Sequence, residues 1–348
     1  MHQSTLKQIV GLAPLPEKVM DRIALIRYAD ANHIIGQMAS AVAVKKGSRI
    51  DDIFRNSLLR AWHDHRMLQF EMNRLEYALK GTGIEPIVLK GGAYVALDKK
   101  AAAGRRVSDL DILVPEANLD EVEARLLLAG WAADEATDNP YDQAYYREHM
   151  HELPPLRHKK RGTIIDVHHR LLPKTARFKV DTAAMQQSAV PLAHTGLKTF
   201  DDIDLFIHSA VHAFGDGAID TPARSLVELY MLYTELGYAG ASMLPGRAEA
   251  IGAKKPVSVA LWAIEHFFSI EMATSQPEQL KMQKPNVMLR WSIVSKTLEG
   301  PLTPFAKAFL YIRSHYLRMP LRLLVPHLAR KAVAWRPNTQ KPIELPFP

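Results

Sequence analysis

The stretch Val107-Ser108-Asp109-Leu110-Asp111-Ile112-Leu113-Val114 constrains the fold more than any other. Its apolar, β-branched composition is that of a strand. In a strand, side chains alternate between faces, so Asp109 and Asp111 point the same way. Two carboxylates side by side in an apolar run repel each other and lose hydration, so either a cation compensates them or one acid caps a turn while the other is solvated at the strand end. A hard dication such as Mg2+ is held by one or two carboxylates plus substrate phosphates, so the pair points towards phosphate chemistry.

The neighbouring residues extend this picture. Ile84-Glu85-Pro86-Ile87-Val88-Leu89 predicts a short buried strand after the break at Gly81–Gly83. Lys90, Gly91 and Gly92 follow, and Ala93 to Leu97 can start a helix. A strand, a glycine pair and a helix start can cradle a phosphate, because backbone donors there are unpaired and glycine permits close approach. The basic loop 98–107 holds Arg105 and Arg106, which could meet a triphosphate. Beyond the Asp109/Asp111 strand, Asn118 to Glu121 reads as a capping box for a helix that stops at Gly130.

Thr163 to His169 alternates as a further strand, and a turn at Lys160–Gly162 predicts an antiparallel partner around Leu156. That strand carries a third acid, Asp166, with His168 on its face and His169 on the other. His149, His151, His168 and His169 match no compact zinc spacing, and some clustering is expected among 15 histidines.

Leu89-Lys90-Gly91-Gly92, then Arg105 to Asp109-Leu110-Asp111, then Ile165-Asp166-Val167-His168, resembles the uncharacterised nucleotidyltransferase family of the polymerase-β-like superfamily. The resemblance implies an α+β fold: a small mixed β-sheet nucleotidyltransferase core flanked by N-terminal and C-terminal helical regions. It implies that Gly91 and Gly92 hold the triphosphate, with Lys90, Arg105 and Ser108 also at the nucleotide, and that Asp109 and Asp111 bind magnesium. Asp166 completes the metal site and helps activate the attacking hydroxyl. The seventeen positions from Gly92 to Asp109 are more than most of the superfamily uses, so an inserted loop must be accommodated.

The expected organisation is an N-terminal helical region over 1–82, a catalytic core over 83–195, a C-terminal helical domain over 196–336 and an extended tail over 337–348. In the first region, Ile23, Leu25, Ile26, Ile34 and Met38 form one apolar series. Leu58, Leu59, Trp62, Leu68, Phe70 and Leu75 form another, expected to be core, with Asp51 and Asp52 as caps. In the C-terminal region, His208 and His212 stand four apart, as do Arg224 and Glu228. The resemblance makes His208, His212 and Arg224 secondary candidates for base or acceptor contacts.

The chain has no cysteine, which removes disulfides, thiolate metal sites and cysteine nucleophiles. The formal charge of +7 is concentrated: residues 300–343 carry eight Lys and Arg and no acid, leaving the rest near neutral. Phe305, Phe309, Tyr311, Ile312 and Tyr316 are interleaved with those cations and read as a core-packed helix with a solvated cationic face. A basic apolar segment can also meet an anionic membrane or RNA phosphates. No uninterrupted apolar run suits a transmembrane helix, nor do the first twenty residues suit a secretory signal, so a cytoplasmic protein is expected. The leading expectation is a magnesium-dependent enzyme moving NMP from an NTP, with ATP the expected donor, to a hydroxyl or phosphate of an acceptor that could be a small molecule, protein or RNA. The rivals are a catalytically degenerate scaffold at a membrane surface linked to polysaccharide production, and a toxin-like enzyme that modifies RNA.

Overall fold

The computed structural model describes residues 4–133, 150–215, 219–270 and 284–318. His149, the cations beyond Arg318 and the expected tail over 337–348 lie outside the described residues. Among the described residues, seven strands form one mixed sheet: β1 (Ile87–Val88), β2 (Asp109–Leu113), β3 (Trp131–Ala133), β4 (Leu156–His158), β5 (Ile164–His168), β6 (Val190–Pro191) and β7 (Lys198–Thr199). The spatial order is β3-β4-β5-β2-β1-β7-β6. Helices precede and follow the sheet in the chain, which is the α+β architecture the sequence leads one to expect.

Two pairings position the chemistry. β2 runs antiparallel to β1, with Val88 opposite Ile112. It runs parallel to β5, with Asp111 opposite Asp166 and Leu113 opposite His168. The alternate residues Leu110, Ile112, Ile165 and Val167 are buried, so the opposite face of both strands anchors them in the core. The turn at His158–Gly162 closes the β4–β5 hairpin, with the Gly162 N–H donating to His158 C=O at 2.8 Å and Gly162 at φ +71°.

On the N-terminal side stand α1 (Thr5–Ile9), α2 (Val19–Ala31), α3 (Ile35–Ala41) and the 30-residue α4 (Arg49–Ala78), of which α4 packs against β2. α4 is capped by Ser48, whose hydroxyl accepts from Asp51 N–H at 3.2 Å. Asp51 and Asp52 therefore lie inside the first turn, where they favour the helix dipole, and neither is the cap. Phe54, Ala61, Leu68, Met72 and Leu75 form the buried stripe of α4. That stripe is too narrow to include every apolar residue, and Leu59, Trp62 and Phe70 are exposed rather than core.

α5 (Lys90–Ala96) follows β1, and the long connection to β2 is seated on α3. A Cβ on Gly36 would meet Gly104 C=O at 2.0 Å, and one on Gly104 would meet Gly36 C=O at 2.0 Å. This glycine-to-glycine contact holds the connection against α3. α6 (Leu119–Leu128) has Asn118 at its N-cap, but no side chain bonds there, so the expected capping box does not form.

α7 (Thr182–Gln187) and α8 (Asp202–Ala210) lead into a π-helical turn at Val211–Gly215. α9 (Pro222–Ala250), α10 (Lys254–Phe268), α11 (Val287–Leu298) and α12 (Thr303–Arg318) complete the described chain. Tyr28 Oη on α2 donates to Thr297 C=O on α11 at 2.5 Å, joining the first helices to the last. α12 buries Ala306 and Leu310 but leaves Phe305, Tyr311, Ile312 and Tyr316 exposed, so only part of its apolar surface is core. Among the described residues, no helix is long and apolar enough to cross a membrane.

Candidate active site

The strand register gathers the three acids. Asp109 and Asp111 share one face of β2, and Asp166 is the direct partner of Asp111 on β5. Asp111 is buried and bonded twice: Lys90 Nζ donates to its Oδ1 at 2.6 Å, and His168 Nε2 lies 3.0 Å from the same atom. Burial opposes its charge, but Lys90 and His168 outweigh burial and hold its carboxyl well below the usual range. Asp109 sits at the mouth, with the exposed Ser108 Oγ donating to its Oδ1 at 3.2 Å. Burial and the neighbouring Asp111 raise its pKa.

Asp166 is the least compensated of the three. Its Oδ1 is buried without a hydrogen-bond partner. Burial, then the charges of Asp111, Glu152 and Asp109, push its carboxyl up to about 7. An orphaned carboxylate oxygen, facing two further carboxylates, is what a divalent cation would satisfy. Asp109, Asp111 and Asp166 thus lie along one face of the β2–β5 pair, and they are the residues that would hold such a cation.

Lys90 reaches this face because α5 begins directly after β1, and it adopts a left-handed φ of +47°. Gly91 and Gly92 form the buried first turn of α5, and close packing explains the need for both. A Cβ on Gly91 would meet the Arg105 guanidinium, 1.9 Å from Nη1 and 2.7 Å from Cζ. A Cβ on Gly92 would meet Val88 Cγ1 at 2.7 Å. Arg105 itself is buried, donates from Nε to Glu228 Oε1 at 2.8 Å, and lies over the Tyr94 ring at 5.6 Å.

Glu228 was readable in the sequence only as half of an i,i+4 helix pair with Arg224. In the fold it is buried and its Oε1 accepts from both Arg224 Nε (2.9 Å) and Arg105 Nε. It therefore ties α9 to the loop that carries Arg105. Arg224 also donates to Arg106 C=O at 3.1 Å. His208 is buried on α8, where burial and Lys90 push its pKa down to about 3, so it stands neutral behind the site.

An open cavity of about 610 Å3 adjoins Asp109. Ser108, Arg106, Arg224, Arg161, Gly162 and Thr163 line one side, and His33, His63, Asp64 and Met67 the other. α4 thus forms one wall beside the mouth of the aspartate face, as the sequence did not indicate. Glu152 and His151 are also near the acids: Glu152 Oε2 lies 3.2 Å from His168 Nδ1. Sequence spacing missed this contact, because residues 151 and 152 meet β5 only through a cross-strand bridge.

The sequence matches the family described as uncharacterised nucleotidyltransferase over residues 20–269. The chain belongs to that family. This nucleotidyltransferase is a transferase, and enzymes of the class move a nucleotidyl group from an NTP with the help of a divalent metal. Among solved structures it is similar to the antibiotic-resistance factor ANT(2'')-Ia, at 15% identity, a TM-score of 0.36, and coverage of 54% of this chain and 92% of that chain. That likeness is too distant to assign residues or substrate. No curated relative matches the nucleotidyltransferase.

Proposed function

We propose that the protein is a magnesium-dependent nucleotidyltransferase that moves NMP from an NTP, with ATP as donor, to a hydroxyl or phosphate of an acceptor. The observation that carries this reading is the register of β2 on β5, which sets Asp111 opposite Asp166 and leaves Asp166 Oδ1 buried and unpartnered. Magnesium held by Asp109, Asp111 and Asp166 would neutralise the phosphate oxygens and the departing pyrophosphate.

The chain's own groups supply the rest. Asp166 takes the proton of the acceptor hydroxyl as that oxygen bonds to the α-phosphorus and the bond to pyrophosphate breaks. Lys90 keeps a cation beside Asp111. Gly91 and Gly92 let the triphosphate approach the start of α5, and Ser108 and Arg105 border that approach. The cavity between α4 and the mouth of β2 receives the acceptor. The chain acts as a cytoplasmic enzyme whose catalytic core begins at about residue 83 and takes in β7 at Lys198–Thr199, beyond the expected limit of 195.

Incubating purified protein with each labelled NTP, magnesium and cell extract tests the reading, with Asp109→Ala and Asp111→Ala in parallel. Label should pass to an acceptor in the wild type only. Transfer that persists undiminished in both variants, or none at all in the wild type, overturns it.

A further inference from the structure

We propose that His151, Glu152 and His168 bind a first-row transition-metal dication of the zinc class, at a position further along the face of β5 that carries Asp166 and touching the three aspartates through Asp111. One ligand atom from each of the three lies within 4.8 Å of the others. His168 Nδ1 is 3.2 Å and His151 Nε2 is 3.9 Å from Glu152 Oε2. Around a tetrahedral zinc ion with bonds of about 2.0–2.1 Å, neighbouring ligand atoms stand about 3.3 Å apart. One contact already has that spacing, and the other needs a small closing movement.

The backbone fixes this arrangement. Glu152 and His168 face each other in an antiparallel bridge. Leu153 N–H donates to Val167 C=O at 2.8 Å, and His169 N–H to His151 C=O at 2.9 Å. The two rings, tilted by 35° with centroids 5.4 Å apart, stand side by side. His168 is almost fully buried, while the His151 and Glu152 side chains keep about one fifth of their surface, so a bound ion would retain an open position.

Asp111 supplies the argument for a cation rather than a chance cluster. It lies 3.0 Å from His168 Nε2, the arrangement by which a carboxylate fixes a ligand histidine from behind. With the Nε2 proton directed to Asp111, the Nδ1 lone pair faces a Glu152 oxygen at 3.2 Å. A dication between them would bond to both atoms at once. Two imidazoles and one carboxylate select zinc or its neighbours over magnesium, which prefers oxygen alone.

The test uses the full chain, stripped with chelator and dialysed against zinc in the presence of excess magnesium, with bound metal counted by mass spectrometry. We expect one zinc per chain. Affinity should fall at least tenfold in His151→Ala and Glu152→Gln, both checked for folding by circular dichroism, and stay unchanged in Asp109→Asn. X-ray absorption of zinc-loaded wild type should report two imidazoles in the first shell, which keeps the proposal testable if a variant misfolds. No zinc retained against magnesium, zinc retained equally in both site variants, equal loss in Asp109→Asn, or a first shell without two imidazoles each overturns it. Because the readout is metal binding, a failure of nucleotidyl transfer leaves this result independent.

Discussion

Asp166→Asn should make the metal-free protein more stable while it removes transfer. In the folded chain the Asp166 carboxyl is pushed up to about 7, well above the usual carboxylate range, by burial and by Asp111, Glu152 and Asp109. A raised carboxyl pKa means that ionisation costs folding stability. The cost is absent below the unfolded pKa near 4, grows between there and 7, and is complete above 7. At 1.36 kcal/mol per pH unit the full cost is roughly 4 kcal/mol, and solvent reaching the half-buried group trims this to about 2–4 kcal/mol. An uncharged amide of the same shape escapes it. For a chain of this length unfolding as one unit, that gain is about 3–6 °C in Tm at pH 8 and close to zero near pH 4. Thermal melts in chelator at both pH values measure it. Magnesium should then stabilise the wild type and leave the Asn variant unmoved. A variant no more stable than wild type at pH 8, or equally stabilised at both pH values, would refute the reasoning that Asp166 is a repelled, uncompensated charge.

Three further outcomes follow from the packing around the site. Glu228→Gln leaves the Arg105 guanidinium buried without its counter-charge and should cost about 3–5 kcal/mol in denaturant unfolding, where an exposed pair would cost under 1 kcal/mol. Gly91→Ala drives a methyl into that guanidinium and should lower stability by about 1–3 kcal/mol together with NTP affinity, read by melting and by nucleotide titration. Trp62→Ala on the exposed face of α4 should change stability by less than about 0.5 kcal/mol, in contrast to Leu68→Ala at 2–5 kcal/mol on the buried stripe.

The strand-borne chemistry was legible because the period of a strand is short and local. Asp109 and Asp111 share a face by spacing alone, and Asp166 and His168 likewise, so a single parallel register was enough to unite them. The hairpin before Asp166 was legible from its basic turn and glycine. What the sequence hid depends on pairings between distant segments. Glu228 reads as a surface helix residue until α9 meets the loop at Arg105, 123 positions earlier. Gly91 reads as a phosphate turn, but its lack of a side chain is already needed to seat Arg105. His151 and Glu152 become neighbours of His168 only through an isolated bridge that no periodicity announces. Trp62, Phe70 and Phe305 were misplaced because helical spacing gives the direction of a side chain without saying whether anything packs there.

The central claim is that the carboxylate face of β2 and β5 supports attack on an α-phosphorus. Parallel reactions with NTP labelled on the α-phosphate and on the γ-phosphate test it most directly, with magnesium and acceptor extract present. The account predicts that α-label enters the product and γ-label leaves as pyrophosphate. Transfer of the γ-label to the acceptor, or release of inorganic phosphate without α-label in any product, would contradict it.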